Sequence, residues 1–156
     1  NPDVVIDVGQ AGGRACVTVG KVGINLADAR IPDNAGEQPS DEPLQADGPT
    51  AYFATIPVKA MVQNVREHGL PCHVSFTAGT YVCNCVMYNV LHLCATKYPN
   101  IRAGFIHVPF ACEQVVGKAS TMASMPLETI AKSLEYCIEA VVTNKEEVKE
   151  AMGTTH

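Results

Sequence analysis

The stretch from Ser75 to Tyr88 reads S-F-T-A-G-T-Y-V-C-N-C-V-M-Y, and the fold unrolls outward from it. A turn of small residues, Thr77-Ala78-Gly79-Thr80, runs straight into an apolar pattern of helical period. Thr80 is expected to be the N-cap, its hydroxyl taking one of the unpaired N–H groups of the first turn. Cys83 then falls in the opening turn. There the helix dipole favours a negative charge, so a thiol ionises more readily than that of a free cysteine. That is the setting of a nucleophile. A small, buried, apolar cysteine would look the same in sequence, and this stretch alone leaves both open.

Around this core stretch, strand and helix patterns alternate. Val4 to Val8 is a β-branched run ending in the glycine turn Gly9-Gln10-Ala11-Gly12-Gly13-Arg14. Ala15 to Val19 reads as a second strand and Val22 to Leu26 as a third apolar piece. The polar segment from Asp28 to Pro49 cannot form a core and is expected to be a long surface loop. Pro57 opens a helix whose Val58, Met61, Val62 and Val65 recur at helical spacing, with Gly69 as its stop. Leu70 to Phe76 is a strand. The Cys83 helix ends near Lys97, and its Asn84, Tyr88 and His92, four apart, are expected on its wetter face. Ile101 to Pro109 is another strand. Pro126 opens a last helix with the stripe Leu127, Ile130, Leu134, Ile138 and Val141, after which the Lys- and Glu-rich tail is expected to fray. Such alternation favours an α/β fold with a mainly parallel sheet.

The 156 residues, 47% hydrophobic, suit one domain, taken as residues 1–142 with a polar tail over 143–156. Sixteen acidic against eleven basic side chains give a net charge of −5, which argues against nucleic acid or an anionic membrane as a partner. No apolar run has the length of a membrane span, and no signal-peptide pattern opens the chain. Seven cysteines, an odd number scattered through regular segments, point to a reducing cytoplasm. The chain opens on Asn1-Pro2 without methionine and is in a strand almost at once, so its natural N-terminus is expected upstream.

Two binding chemistries fail on spacing. The glycine turn is G-x-x-G-G rather than G-x-G-x-x-G, and no Walker lysine follows it, so a nucleotide site is weakly supported. Cys83, Cys85, His92 and Cys94 are metal-ligand types. On one helix, however, Cys83 and Cys85 point roughly 200° apart, and Cys83 and Cys94 lie about 16 Å apart along the axis. A tetrahedral metal site cannot be made that way, and none is expected.

A cysteine nucleophile needs a base. His92 points to the opposite side of the helix, roughly 13 Å along it. His68 and His156 stand at solvated ends, and His73 opens a strand. His107 interrupts the apolar run G-F-I-H-V-P-F where a strand leaves the sheet, so it is either a satisfied core histidine or the base of a catalytic pair. Arg30 offers an anion site or a local ion pair with Asp28 and Asp33.

Four segments in order, V-G-Q-A-G-G-R (Val8 to Arg14), D-A-R-I-P-D-N (Asp28 to Asn34), T-A-G-T-Y-V-C-N (Thr77 to Asn84) and G-F-I-H-V-P-F (Gly104 to Phe110), resemble pyroglutamyl-peptidase I. This is the cysteine peptidase family that removes N-terminal pyroglutamate. The resemblance runs to about residue 142. It implies a three-layer α/β/α sandwich with a mainly parallel central sheet, a cytoplasmic location, a homotetramer, no cofactor, and pyroglutamylated peptides as substrates. It also implies that Cys83 is the nucleophile, His107 the general base, and Arg30 a group near the oxyanion. By the same resemblance Gln10 bonds the lactam, while Ile31 and Tyr81 belong to an apolar wall. A flat apolar pocket with a few amide-matched polar groups suits an uncharged lactam.

The chain departs from the family pattern twice. Gly20-Lys21 stands where the family has Glu-Arg, whose glutamate orients the histidine. Asp28 and Asp33 offer substitute carboxylates. The family's first segment, with an aromatic substrate loop, has no counterpart in this sequence. Three readings follow: a thiol exopeptidase, an inactive relative that still holds pyroglutamyl peptides, or an unrelated flavodoxin-like nucleotide or flavin binder.

Overall fold

The computed structural model describes residues 2–143 and 145–155. Its strands and helices are β1 (Val4–Gln10), β2 (Val17–Gly20), β3 (Val22–Ile24), β4 (Ala51–Phe53), α1 (Val58–Glu67), β5 (Cys72–Ser75), α2 (Val82–Lys97), β6 (Arg102–Val108), β7 (Phe110–Ala111), β8 (Ser124–Met125) and α3 (Leu127–Val142). The fold is α/β with a mainly parallel four-stranded sheet in the order β1-β6-β2-β5, in which β2 runs antiparallel to β6. The two inner strands read as apolar runs because they are covered on both faces: all of β2 is buried, and so is β6 from Ala103 to His107. The edge strand β1 is only half buried.

The chain divides into two compact units. One comprises Asn1–Asp7, Gly20–Ile56 and Ser75–Phe105. Here α2 packs on the antiparallel pair β3–β4, registered with Val22 opposite Phe53 and Ile24 opposite Ala51. This corrects the reading of the α2 polar line, which faces inward. Asn84 is fully buried: its Oδ1 accepts the Ile24 N–H at 2.9 Å, and its Nδ2 donates to the carbonyls of Ile24 at 2.9 Å and Leu26 at 3.0 Å. The buried Tyr88 donates its hydroxyl to the Pro49 carbonyl at 2.6 Å, and the His92 Nδ1 meets the Tyr52 hydroxyl at 3.1 Å. Polar side chains are tolerated inside when each finds its partner. These three stitch the helix to the β3–β4 pair and the loop between them.

The other unit comprises Val8–Val19, Pro57–Val74 and Ile106–His156. Its core is the α1–α3 contact. The buried face of α3 is Ile130, Ser133, Cys137, Ala140 and Val141, while Leu127 and Ile138 are exposed. The expected stripe is therefore turned about the helix axis. Small residues at 133, 137 and 140 lie on this buried face, and Cys137 meets Cys72 of β5 there. The tail also departs from expectation. The Glu147 carboxylate accepts the N–H of Lys59 at 2.9 Å and of Ala60 at 3.1 Å, and Lys145 Nζ donates to Asn64 Oδ1 at 2.5 Å. Pro57 brings no side-chain cap to α1, so a carboxylate from the tail takes the open N–H groups instead. His156 lies outside the described residues. Among the described residues no helix is long and apolar enough to cross a membrane.

Candidate active site

Cys83 is the second residue of α2 and is half buried. The turn before it is self-braced. Gly79 has φ +75°, a conformation that costs glycine little, and its N–H donates to Thr77 Oγ1 at 3.0 Å. The N-cap position belongs to Tyr81, in extended backbone and with no side-chain cap bond, and not to Thr80. Thr80 is drawn away by a competing partner: its hydroxyl donates to the Asp28 carbonyl at 2.8 Å, and the Asp28 N–H donates to the Thr80 carbonyl at 2.9 Å. The Tyr81 hydroxyl donates to the Pro32 carbonyl at 3.0 Å. Together these bonds lay the loop that carries Arg30 and Ile31 against the start of α2. Arg30, Ile31 and Tyr81 are all exposed, open to a ligand.

The helix start also borders a largely apolar cavity of about 290 Å³, lined by Pro39, Leu44, Tyr81, Val82, Cys85 and Val86 among others. It opens on the Val82–Val86 side of α2, and Cys83 is not among its walls.

In the other unit, His107 lies in β6 opposite Thr18 of β2 and is 3% exposed. Burial, and then the Arg14 guanidinium, push its pKa down to about 4. Arg14 is held there by a hydrogen bond from its Nη1 to Thr18 Oγ1. The imidazole is therefore neutral at pH 7, the form in which it can take a proton. Gln10, at the end of β1, is exposed, and its Nε2 donates to Gln114 Oε1 at 2.6 Å.

The sequence reading passes over Gln114, whose only local signal is a glutamine three residues after Ala111, in the third place of a short turn behind the His107 strand. Gly20 is the buried last residue of β2, where a Cβ would sit 3.2 Å from the Phe105 carbonyl oxygen and 3.3 Å from Met87 Cε. Asp33 closes its own loop, its Oδ1 accepting the N–H groups of Ala35 at 2.8 Å and Glu37 at 2.9 Å.

Three buried cysteines are of a different kind. Burial pushes the Cys16 and Cys94 thiols up, and a hydrogen bond with Cys137, followed by burial, pushes Cys72 further the same way. A thiol raised in this manner is a poor nucleophile at neutral pH.

A family model described as pyroglutamyl peptidase matches residues 1–144. The chain is 63% identical over 155 residues to a pyrrolidone-carboxylate peptidase of Enterococcus faecalis, covering 99% of this chain and 72% of that relative. It is 57% identical, over the same shares, to one from Finegoldia magna. Among solved structures, pyroglutamyl peptidase I from Bacillus amyloliquefaciens superposes with a TM-score of 0.91 at 39% identity, over 96% of this chain and 70% of that one. The pyrrolidone carboxyl peptidase from Thermococcus litoralis gives 0.87 at 38% identity, over 96% and 72%.

Proposed function

This chain belongs to the pyroglutamyl peptidase family, and from that premise we infer how its residues divide the work of a cysteine exopeptidase on N-terminal pyroglutamate. Cys83 is the nucleophile. Its sulfur attacks the carbonyl that joins pyroglutamate to the next residue, and His107 takes the thiol proton as general base. The same imidazole returns the proton to the departing amine, leaving a thioester that water hydrolyses with His107 again as base. Charge developing on the carbonyl oxygen is met by the Cys83 backbone N–H and Arg30. Gln10 hydrogen-bonds the lactam, and Ile31 and Tyr81 form part of its apolar wall.

The observation that carries this division is the double tie of Thr80 and Tyr81 to the loop at Asp28 and Pro32. It ties the loop on either side of Arg30 and Ile31 to the two residues that precede α2. Preorganisation of that kind is what transition-state stabilisation needs. A neutral His107 with a lowered pKa supports the base role independently.

The homotetramer and the cytoplasmic location implied by the resemblance are part of the same proposal. Cysteines scattered through regular elements suit a reducing compartment, and light scattering of the purified chain tests the assembly. The assay for the chemistry is release of a fluorophore from a pyroglutamyl amide. Turnover by the parent chain and none by Cys83→Ala is expected. Turnover that persists in Cys83→Ala would overturn the assignment, and none in the parent would favour an inactive relative that only binds.

A further inference from the structure

The end of β1 and the glycine turn after it are bound to the end of β6 and the segment behind it by three contacts, all within one compact unit. The Ala11 N–H donates to the Val108 carbonyl at 2.9 Å. The Phe110 ring lies against Gly12 so closely that a Cβ there would come within 2.3 Å of ring carbon Cζ. Beside this contact, the side-chain amides of Gln10 and Gln114 face each other. Gln10 Nε2 donates to Gln114 Oε1 at 2.6 Å, and Gln114 Nε2 reaches Gln10 Oε1 at 3.5 Å.

Gln114 is not free to turn over. Its Oε1 also accepts the Ala111 backbone N–H at 2.8 Å, at the head of the short 3₁₀ turn Cys112–Val115. This is the glutamine half of a capping box. Turning the amide over would set its NH₂ group against the Ala111 N–H and against Gln10 Nε2. Two donors converging on one oxygen therefore fix its polarity, and through it the polarity of Gln10.

An exposed glutamine with no such partner can present either end of its amide, since the two orientations have the same shape. A lactam distinguishes them, because it offers one N–H and one C=O side by side and the wrong orientation sets donor against donor. We propose that Gln114 is a positioning residue for lactam recognition, holding the Gln10 amide in one orientation so that its remaining N–H and carbonyl lone pair are presented in fixed places. The assignment rests on the reading of Gln10 as the lactam-binding residue.

The probe is 2-pyrrolidinone, the bare lactam, titrated into the full chain by ligand-detected NMR, so that binding is read without turnover. In Gln114→Ala the Kd of 2-pyrrolidinone is expected to rise by roughly threefold to tenfold, the equivalent of one lost hydrogen bond. With a pyroglutamyl amide, KM should rise by a similar factor while kcat stays nearly constant. Gln114→Glu keeps an acceptor for both N–H groups and should restore the parent Kd. Gln114→Met keeps the length without the acceptor and carries the test if the alanine protein fails to fold. The Gln10→Ala/Gln114→Ala double variant should bind no more weakly than Gln10→Ala alone. Weakened binding in Gln10→Ala with the parent Kd in both Gln114→Ala and Gln114→Met overturns the role of Gln114 only. Unchanged binding in Gln10→Ala removes the reading of Gln10 and this inference with it.

Discussion

Thr80 and Asp28 hold each other by two hydrogen bonds, the Thr80 hydroxyl donating to the Asp28 carbonyl at 2.8 Å and the Asp28 N–H to the Thr80 carbonyl at 2.9 Å. One is a backbone pair that any residue at 80 could make, and the other needs the hydroxyl. Thr80→Val removes the hydroxyl and keeps the shape. One net hydrogen bond is worth about 1 kcal/mol, so stability should fall by about that much. The sharper effect is expected on catalysis, because the loop also carries Arg30. We expect kcat to drop roughly fivefold, with faster amide exchange over residues 28–32 by hydrogen-exchange mass spectrometry. Parent kcat with parent exchange would show that the backbone pair alone places the loop.

The seven cysteines should separate chemically. Cys16, Cys72, Cys94 and Cys137 are buried, whereas Cys83, Cys85 and Cys112 are half buried. Cys85 Sγ accepts from Asn89 Nδ2 at 3.5 Å, and Cys112 Sγ from the Ser124 hydroxyl at 3.8 Å. Cys83 is the second residue of the sixteen-residue helix α2, whereas Cys112 opens only a short 3₁₀ turn. Substoichiometric iodoacetamide at pH 7, followed by peptide mapping, should find the label on Cys83. Cys83→Ser should remove both the label and turnover while leaving the melting curve in place. A first label on Cys85 or Cys112 would point the nucleophile elsewhere.

The depressed pKa of His107 makes two predictions about pH. In the folded chain it titrates near 4, against an ordinary 6.5. The unfolded chain therefore binds the extra proton between those values, and stability falls as pH drops through that window. At about 1.4 kcal/mol per unit, the loss is on the order of 3 kcal/mol, complete only below pH 4. Urea titrations at a series of pH values should show a shallower acid slope in His107→Asn than in the parent. For activity, the acid limb of kcat/KM should lie well below pH 6.5. An acid limb at 6.5 or above would mean that the histidine is not held neutral by its surroundings.

Most of the fold was legible because its punctuation is local. Pro57 and Gly69 bracket α1 and Pro126 opens α3, while β1 runs on through Gly9 to Gln10, past the end of its apolar run. The inward face of α1 was legible, since Val58, Met61, Val62 and Val65 are all buried, but the inward faces of α2 and α3 were not. Asn84, Tyr88 and His92 keep the right period, but their partners lie in β3, β4 and the loop between them, which sequence spacing does not reveal. In α3, apolarity selects Leu127 and Ile138, whereas the residues turned inward include Ser133, Cys137 and Ala140. The site shows the same division. The place of Cys83 in the first turn of α2 follows from the turn before it, whereas the pairing of Gln10 with Gln114 joins residues 104 apart.

The tail supplies a further test. Glu147 gives α1 the cap that Pro57 cannot, accepting two N–H groups with a full negative charge at the positive end of the helix. Glu147→Gln keeps an acceptor and loses the charge, and Glu147→Ala loses both. Stability should fall by about 0.5 kcal/mol in the first and about 1–2 kcal/mol in the second, as for loss of an N-cap. Chemical denaturation measures both. Equal stability in parent and alanine protein would show that the tail contributes nothing to α1.

Gly20 sets activity against stability. A histidine acting as base needs its far nitrogen held by an acceptor, or it spends time in the wrong tautomer and orientation. Glycine offers no side-chain acceptor, where the family resemblance puts a glutamate. Asp33 is a poor substitute, since its carboxylate already closes its own loop. We therefore expect Gly20→Glu to accelerate the chemical step, by roughly tenfold or more, with a smaller change in KM. The gain comes against local crowding. A Cβ at position 20 meets the Phe105 carbonyl oxygen at 3.2 Å and the end of Met87 at 3.3 Å. The methionine can swing aside, but the backbone oxygen can give only a few tenths of an ångström, so stability should fall by about 1–2 kcal/mol. Single-turnover release of a fluorophore and a thermal melt of the same protein read the two effects separately. A folded Gly20→Glu protein with an unchanged chemical step would mean that another group already orients His107, or that the cysteine–histidine pair needs none.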